Sequence, residues 1–218
     1  IILEKNKFSG DETTSRNSGV IHGGMYYPEN SYKAKLCVQG NKELYDYASR
    51  KKIPFKRCGK LILAFSKEDH EKLKFIYKQG KANGVDLDLI SAEDAKFIEP
   101  EVDCYSAIYS KNTGILDTPN FINALEGDIQ HNGGYLSLNS EFINAKKTND
   151  GFEVLIKSDE IFKMKTKILI NCSGLHSDKV SHSIMGLDAK YVHKIFYGKG
   201  HYFKYSGKNP FNSLVYPM

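Results

Sequence analysis

The residues best suited to chemistry lie together at positions 13–28, where hydroxyls, an arginine, an amide, three glycines, a histidine and two tyrosines follow one another closely. A buried strand could not satisfy so many polar groups, and the glycines would interrupt a helix. The stretch therefore predicts a loop wrapped around a polar ligand, with Gly19 where ligand and backbone nearly touch. An ordinary turn would explain the glycines but not the whole polar string.

Two histidines are candidates for a general base. Histidine suits this role because its unperturbed pKa lies near neutral pH. His22 is the first choice, since it lies inside the polar loop, and His201 in the sequence Gly-Lys-Gly-His is the second. A single histidine is more often structural, and that alternative stays open for both.

A carboxylate and a Ser-Gly turn predict contacts to a nucleotide. Glu4 follows an apolar strand end, and in dinucleotide-binding folds an acidic residue at a strand tip accepts hydrogen bonds from a ribose hydroxyl. A surface carboxylate is the alternative. Ser173 and Gly174 follow a predicted buried strand at 167–171 and open a helix, where backbone N–H groups can meet an anion. No G-x-G-x-x-G turn precedes Glu4.

Composition excludes several other classes of function. The net charge of +5 comes from scattered lysines, with arginine only at Arg16, Arg50 and Arg57, so nucleic-acid binding is a poor explanation. The four cysteines lack C-x-x-C spacing, which argues against a metal site or a redox pair. We expect them to be unpaired thiols buried in apolar surroundings, as in a cytoplasmic protein. No apolar run approaches the roughly 18 residues of a membrane-spanning helix.

Hydrophobic periodicity and end signals predict a mixture of helices and strands, typical of an α/β or mixed α+β fold. We predict helices at 31–49, 67–82, 92–98 and from Thr118-Pro119 onward. Strands are predicted at 53–56, 60–65, 106–109, 135–138, 141–147, 152–157 and 161–164, with a hairpin turn at 149–151. The stretch 194–205 and the residues near Leu214 are also strand-like.

The motifs, taken in order, resemble one family. Its pattern is matched by residues 1–5 with 14–24, then by 57–62, 113–117, 171–175, and 198–203 with 214–217. Together they are similar to FAD-dependent oxidoreductases of the D-amino-acid oxidase type, and within them to the L-2-hydroxyglutarate dehydrogenase/oxidase branch. Members of this family carry an amino-terminal glycine turn and a closing carboxy-terminal segment, so we expect the chain to be an internal fragment.

The resemblance implies FAD as cofactor and an FAD-binding Rossmann-like domain (1–59 and 118–190) interleaved with an antiparallel-sheet substrate domain (60–117 and 191–218), both incomplete. The implied catalytic residues are His22 and His201. For substrate binding it implies Arg57, Lys199, Tyr202 and Tyr216, although core packing is an equal alternative for the tyrosines. The implied FAD contacts are Glu4, Thr14, Ser15, Arg16, Asn17, Ser18, Gly19, His22, Ser173 and Gly174.

The implied reaction is oxidation of the CH–OH group of a small 2-hydroxy acid, L-2-hydroxyglutarate before others, by hydride transfer to the flavin. Oxidation of glycine, sarcosine or glycerol 3-phosphate is the alternative within the superfamily, and a truncated non-catalytic remnant is the alternative of another class. The electron acceptor stays open between oxygen, a quinone and an electron-transfer protein. We expect a cytoplasmic protein and leave open peripheral contact with the inner face of a membrane.

Overall fold

The structure is a computed structural model, and it describes residues 1–218. Its helices confirm the predicted ones, including the helix expected after Gly174: α1 (Tyr32–Lys51), α2 (Lys67–Ala82), α3 (Ala92–Ile98), α4 (Thr118–His131) and α5 (Ser177–His182). Serine caps explain where the first three helices begin. The hydroxyls of Ser31, Ser66 and Ser91 each accept a hydrogen bond from the backbone N–H three residues later, at 3.1 Å. None of the helices is both long and apolar enough to cross a membrane.

The strands form four small sheets. Strands predicted at 53–56, 60–65, 106–109, 135–138, 141–147, 152–157 and 161–164 are all present, with small shifts at their ends. The complete set is β1 (Ile2–Leu3), β2 (Val20–Ile21), β3 (Phe55–Lys56), β4 (Lys60–Ala64), β5 (Leu87–Ser91), β6 (Ser106–Ser110), β7 (Gly114–Leu116), β8 (Leu136–Ser137), β9 (Glu141–Thr148), β10 (Gly151–Lys157), β11 (Ile161–Thr166), β12 (Ile184–Met185) and β13 (Leu214–Pro217).

The chain divides into two compact units. Unit 1 comprises Ile1–Asn17 and Ile122–Phe203, and unit 2 comprises Ser18–Phe121 and Lys204–Met218. Residues 18–59, which we predicted to belong with the cofactor domain, lie in unit 2 because β2 and β3 both pair with β7. The assignment of cofactor binding and substrate binding to particular ranges stays a prediction.

Unit 2 is built on the sheet β13-β4-β6-β5, in which β4 pairs antiparallel with β6 and parallel with β13. All five residues of β4 are buried, and successive side chains point to opposite faces. One face packs with Met25, Leu73 and Ile108, and the other with Ala95 and Val102. Helices α2 and α3 therefore cover the two faces of one central sheet.

Unit 1 contains the parallel pair β1-β8 and the sheet β11-β10-β9-β12. The predicted turn at 149–151 joins β9 to β10, where Thr148 pairs with Gly151. Ala145, Val154 and Ile156 form its buried core. The alternation of helices with parallel and antiparallel strands confirms the predicted mixed α/β class.

Two predicted strands are wrong. The apolar run at 167–171 pairs with no strand, and the side chains of Ile168 and Ile170 are exposed by 73% and 75%, because only Leu169 packs against the core of unit 1. The stretch 194–205 has no regular structure either, since aromatic content favours a strand only where a partner strand is available. The expected burial of the thiols is also wrong: Cys172 is exposed, and the other three cysteines are half-buried.

Candidate active site

In unit 1, the backbone of Glu4 is fixed by its neighbours directly after β1. Its N–H donates to the carbonyl oxygen of Ser137 at 2.9 Å, and its own carbonyl accepts from the N–H of Ser140 at 2.8 Å. The half-buried carboxylate accepts the N–H of Asn6 through Oε1 at 2.7 Å. Its second oxygen remains for a ligand hydroxyl, as the predicted ribose contact requires.

An ionic cluster joins the segment after β1 to the Ser173–Gly174 turn. The Lys5 ammonium lies 2.6 Å from Oε1 of Glu12, and Nε2 of His176 lies 3.0 Å from Oε2 of the same carboxylate. The hydrogen bond from Lys5 is the main reason why the pKa of Glu12 is lowered. A Cβ added to Gly174 would lie 3.9 Å from the hydroxyl of Thr13, so the structure brings the two predicted nucleotide segments of unit 1 together.

The residues Ser15, Arg16 and Asn17 form a turn that supports itself. Ser15 donates its hydroxyl to the carbonyl of Asp11 at 2.7 Å, and the Arg16 guanidinium donates to Ser15 at 2.9 Å. The Asn17 amide donates to the carbonyl of Thr14 at 2.6 Å. Ser173 likewise donates its hydroxyl to Asn171, at 2.6 Å. These side chains hold the loops in shape, which leaves backbone groups as the natural contacts for a ligand.

In unit 2, Gly19 of the polar loop and Gly114 of β7 each lie close against protein backbone. Gly19 has φ +65°, and a Cβ there would lie 2.8 Å from the carbonyl oxygen of Leu116. A Cβ on Gly114 would overlap the Tyr45 hydroxyl and the carbonyl of Lys56. Gly19 therefore permits a close approach to β7. Because β7 also contains Gly114, both glycines serve the packing of the sheet formed by β2, β7 and β3. Ser18, beside it, is exposed.

His22 follows β2, and α1 fixes its backbone. The amide of buried Asn41 donates to the His22 carbonyl at 3.0 Å and to the carbonyl of Asn112 at 2.9 Å. His22 is an exposed residue, yet partial burial of its ring and then the positive charges of Lys60 and Lys33 lower its pKa. His22 is therefore held in position and favoured as the neutral base at neutral pH.

The Asn41→Asp variant is expected to destabilise the protein by about 1–3 kcal/mol, because a carboxylate would face two carbonyl oxygens that now accept hydrogen bonds. Chemical denaturation of the variant against the parent protein measures this change. Asn149→Asp, the same substitution in the exposed turn at 149–151, is the control and should stay within about 0.5 kcal/mol of the parent. Equal stability of the two variants would contradict the role of Asn41.

Beside this loop, a buried lysine lies between two tyrosine rings. Lys60 is 2% exposed, and its ammonium lies 4.8 Å from the ring centre of Tyr26 and 4.7 Å from that of Tyr216. It also donates to the Tyr26 hydroxyl over a long 3.4 Å. Burial lowers the pKa of Lys60 to about 8 and, as the largest cause, raises that of Tyr26 to about 12. Tyr216, predicted as a substrate contact, thus adjoins a cation that the sequence did not reveal.

Arg57 lies at a different place in unit 2. Its guanidinium stacks 4.0 Å from the ring centre of Tyr45, and both residues line a cleft of about 380 Å³. Asn41 and Asn112 also line this cleft, whereas His22 and Tyr216 do not. The structure therefore does not bring Arg57 together with Tyr216.

The remaining predicted residues lie in the irregular stretch that precedes β13. Lys199, His201 and Tyr202 are all exposed, and Tyr202 is 74% exposed. No helix or strand holds them in a fixed place. Their substrate and catalytic roles stay predictions, and His22 is the better-positioned of the two histidines.

Comparison with known proteins decides the family. Residues 1–218 match the sequence profile of the family described as FAD dependent oxidoreductase. The chain belongs to this family. The predicted cofactor, FAD, is thereby confirmed, as is the predicted fold class. Its residues fit the nucleotide end of FAD, because Glu4 has a carboxylate oxygen to spare beside the paired loops at Thr13 and Gly174.

The chain is also similar in sequence to individual members of the FAD dependent oxidoreductase family. The chain is 32% identical to the mitochondrial L-2-hydroxyglutarate dehydrogenase of Arabidopsis thaliana, covering 100% of the chain and 52% of that protein. It is 38% identical to the Homo sapiens protein of the same name, covering 83% of the chain and 41% of that protein. The chain thus spans about half the length of the curated relatives it matches.

Among solved structures, dithionite-reduced L-alpha-glycerophosphate oxidase from Mycoplasma pneumoniae, with FAD bound, superposes with a TM-score of 0.74 at 25% identity. The match covers 84% of this chain and 49% of that one. Glycine oxidase from Geobacillus kaustophilus gives a TM-score of 0.72 at 18% identity and covers 84% and 50% of the two chains. This second likeness supports the fold alone.

Several residues with evident roles escaped sequence reasoning. Lys60 is the one charged residue in the strand Lys-Leu-Ile-Leu-Ala, and this departure from a wholly apolar strand was the available signal. His176 gave no signal in the sequence, but its ring contacts Glu12 in the ionic cluster of unit 1. Asn41 gave no signal, because its two carbonyl partners lie 19 and 71 residues away in the sequence.

Proposed function

We propose that the protein containing this chain oxidises L-2-hydroxyglutarate to 2-oxoglutarate. FAD, when bound, would supply the acceptor for the hydride that leaves C2 of the substrate with both electrons of the C–H bond. His22 accepts the hydroxyl proton at an imidazole nitrogen, and the electron pair of the broken O–H bond forms the C2=O double bond. Relatives at 32–38% identity that carry this name support the choice of substrate.

The observation that carries the proposal is the position and protonation of His22. Asn41 holds its backbone, and partial burial followed by two lysine charges lowers the pKa of its ring. A base that is neutral at neutral pH can take a proton without first losing one. A cation and two tyrosines adjoin the same loop and suit an anionic substrate.

The test uses the whole protein purified with its flavin under anaerobic conditions. Addition of L-2-hydroxyglutarate should bleach the visible flavin band, while glycerol 3-phosphate, glycine and sarcosine should not. Bleaching by one of these other compounds would reject the proposed substrate. A whole protein that purifies without flavin would instead favour the non-catalytic alternative.

The electron acceptor is a separate question with a separate measurement. Reoxidation of the bleached enzyme by oxygen, by a soluble quinone and by an electron-transfer protein can be timed in parallel. The fastest of the three identifies the class of acceptor. The compartment predicted from cysteine usage also stays a prediction, and the two curated relatives described above are named as mitochondrial.

A further inference from the structure

Lys60 occupies a position that is costly for a lysine. It begins β4, whose other four residues are apolar and buried, and its own side chain is 2% exposed. Lysine is almost never fully buried without a paired charge. No carboxylate forms an ion pair with its ammonium, whose hydrogen-bond partner is the hydroxyl of Tyr26. The buried charge is therefore only partly compensated by the protein.

The surroundings of the Lys60 ammonium favour a cation but supply no anion. Two tyrosine rings, those of Tyr26 and Tyr216, lie within 5 Å of it and offer their electron-rich faces. This contact offsets part of the desolvation, and the lowered pKa of Lys60, about 8, reflects the part that remains. A bound carboxylate would complete the compensation.

The Lys60 ammonium and the Tyr26 hydroxyl can both donate hydrogen bonds to a ligand. The Tyr26 oxygen accepts from Lys60, so its phenolic hydrogen can be donated to a further acceptor. The Tyr26 hydroxyl keeps this hydrogen at neutral pH, since its pKa is raised to about 12. Tyr26 is 42% exposed and Tyr216 is 36% exposed, so a ligand can reach both rings from solvent. Lys60 and Tyr26 thus combine one positive charge with a hydroxyl donor on a partly exposed ring.

The geometry points to Lys60 and Tyr26 as the groups that bind a carboxylate of the substrate, with the Tyr216 ring holding the ammonium in place. This inference rests on the proposed function and extends it. It assigns direct substrate contacts to two residues outside the set predicted from the sequence. A purely structural lysine, which would only brace β13 against β4, is the competing explanation.

The experiment measures binding of glutarate, a dicarboxylate without the reactive hydroxyl, to the resting holoenzyme through the change in the flavin spectrum. Lys60→Met keeps the length and apolar stem of the side chain and removes the charge. We expect its dissociation constant for glutarate to rise about 10–100-fold, as for the loss of a charge-assisted hydrogen bond. Lys96→Met, which removes an exposed lysine of α3, is the control and should change it less than about threefold.

Tyr26→Phe is the second variant, and it decides the question if Lys60→Met fails to fold or to retain FAD. Loss of the hydroxyl alone should weaken glutarate binding about 3–10-fold. Glutarate affinity that is unchanged in the variants that fold, or that falls equally in Lys96→Met, would overturn the inference. Failure of the proposed function is distinguishable, because it is the absence of bleaching by L-2-hydroxyglutarate in the parent holoenzyme.

Discussion

His22→Gln is expected to lower the turnover number for L-2-hydroxyglutarate by about 10²–10⁴-fold, the usual contribution of a positioned general base. Glutamine keeps a polar side chain of similar size but cannot accept a proton from an alcohol. The backbone carbonyl that receives the Asn41 hydrogen bond is unaffected, so the loop should keep its shape. Steady-state turnover of the whole protein measures the expected loss of activity, and its flavin content shows whether the loop keeps its shape.

His131→Gln is the matched control, because His131 is exposed at the end of α4 and its loss should leave turnover unchanged. If His22→Gln kept at least a tenth of the parent turnover, the assignment of His22 as base would be wrong. His201→Gln would then be the next variant to measure. Loss of flavin from His22→Gln would show instead that the residue mainly holds the cofactor.

The assignment of His22 as the base also predicts how kcat/KM depends on pH. His22 must be neutral to act, and partial burial, then Lys60 and Lys33, lower its pKa below the ordinary value of 6.5. The acidic limb of kcat/KM should therefore lie below pH 6.5, and activity should rise with pH through that limb and be nearly complete at neutral pH. Lys33→Gln removes one of the positive charges and should move the limb to higher pH.

Glu99→Ala is expected to lower the free energy of unfolding by about 3–4 kcal/mol. The Glu99 carboxylate is fully buried after α3 and accepts the backbone N–H of Asn212 at 2.9 Å and that of Ser213. Alanine would leave a cavity and remove the acceptor from both donors just before β13 begins. Because β13 carries Tyr216, weaker binding of glutarate should accompany the loss of stability.

The controls for this prediction come from the same segment of the chain. Glu101→Ala removes an exposed carboxylate two residues away and should change stability by less than about 0.5 kcal/mol. Glu99→Gln keeps one acceptor oxygen and should fall between the two, at about 1–2 kcal/mol. Equal denaturation midpoints for Glu99→Ala and Glu101→Ala would refute the anchoring role of Glu99.

The sequence predicted the helices and most strands because local signals determine them. Ser31, Ser66 and Ser91 cap their helices, and the predicted turn at 149–151 joins two strands in register. The run at 167–171 misled the prediction, since apolar residues predict burial only where a neighbouring element covers them. Ile168 and Ile170 have no such cover, and no local pattern could have shown this.

Some residues of the candidate site could be predicted from the sequence, and others could not. The polar loop and its histidine were evident from residue types, and so was the carboxylate that follows β1. The contact of Lys60 with Tyr26 and that of Glu99 with Asn212 each join residues more than 30 positions apart in the sequence. Such contacts follow from strand pairing, which a single sequence does not specify. Roles of individual residues toward FAD and substrate therefore stay predictions.

The interleaving of the two units has a consequence for synthesis on the ribosome. Residues 18–121 emerge in one continuous piece, and they contain all of unit 2 except its final segment. Strands β4, β6 and β5 can pair as soon as they emerge, but the free edge of β4 stays unpaired until β13 is made. During that interval the nascent chain presents an apolar strand edge, which is the kind of surface that chaperones bind and that promotes aggregation.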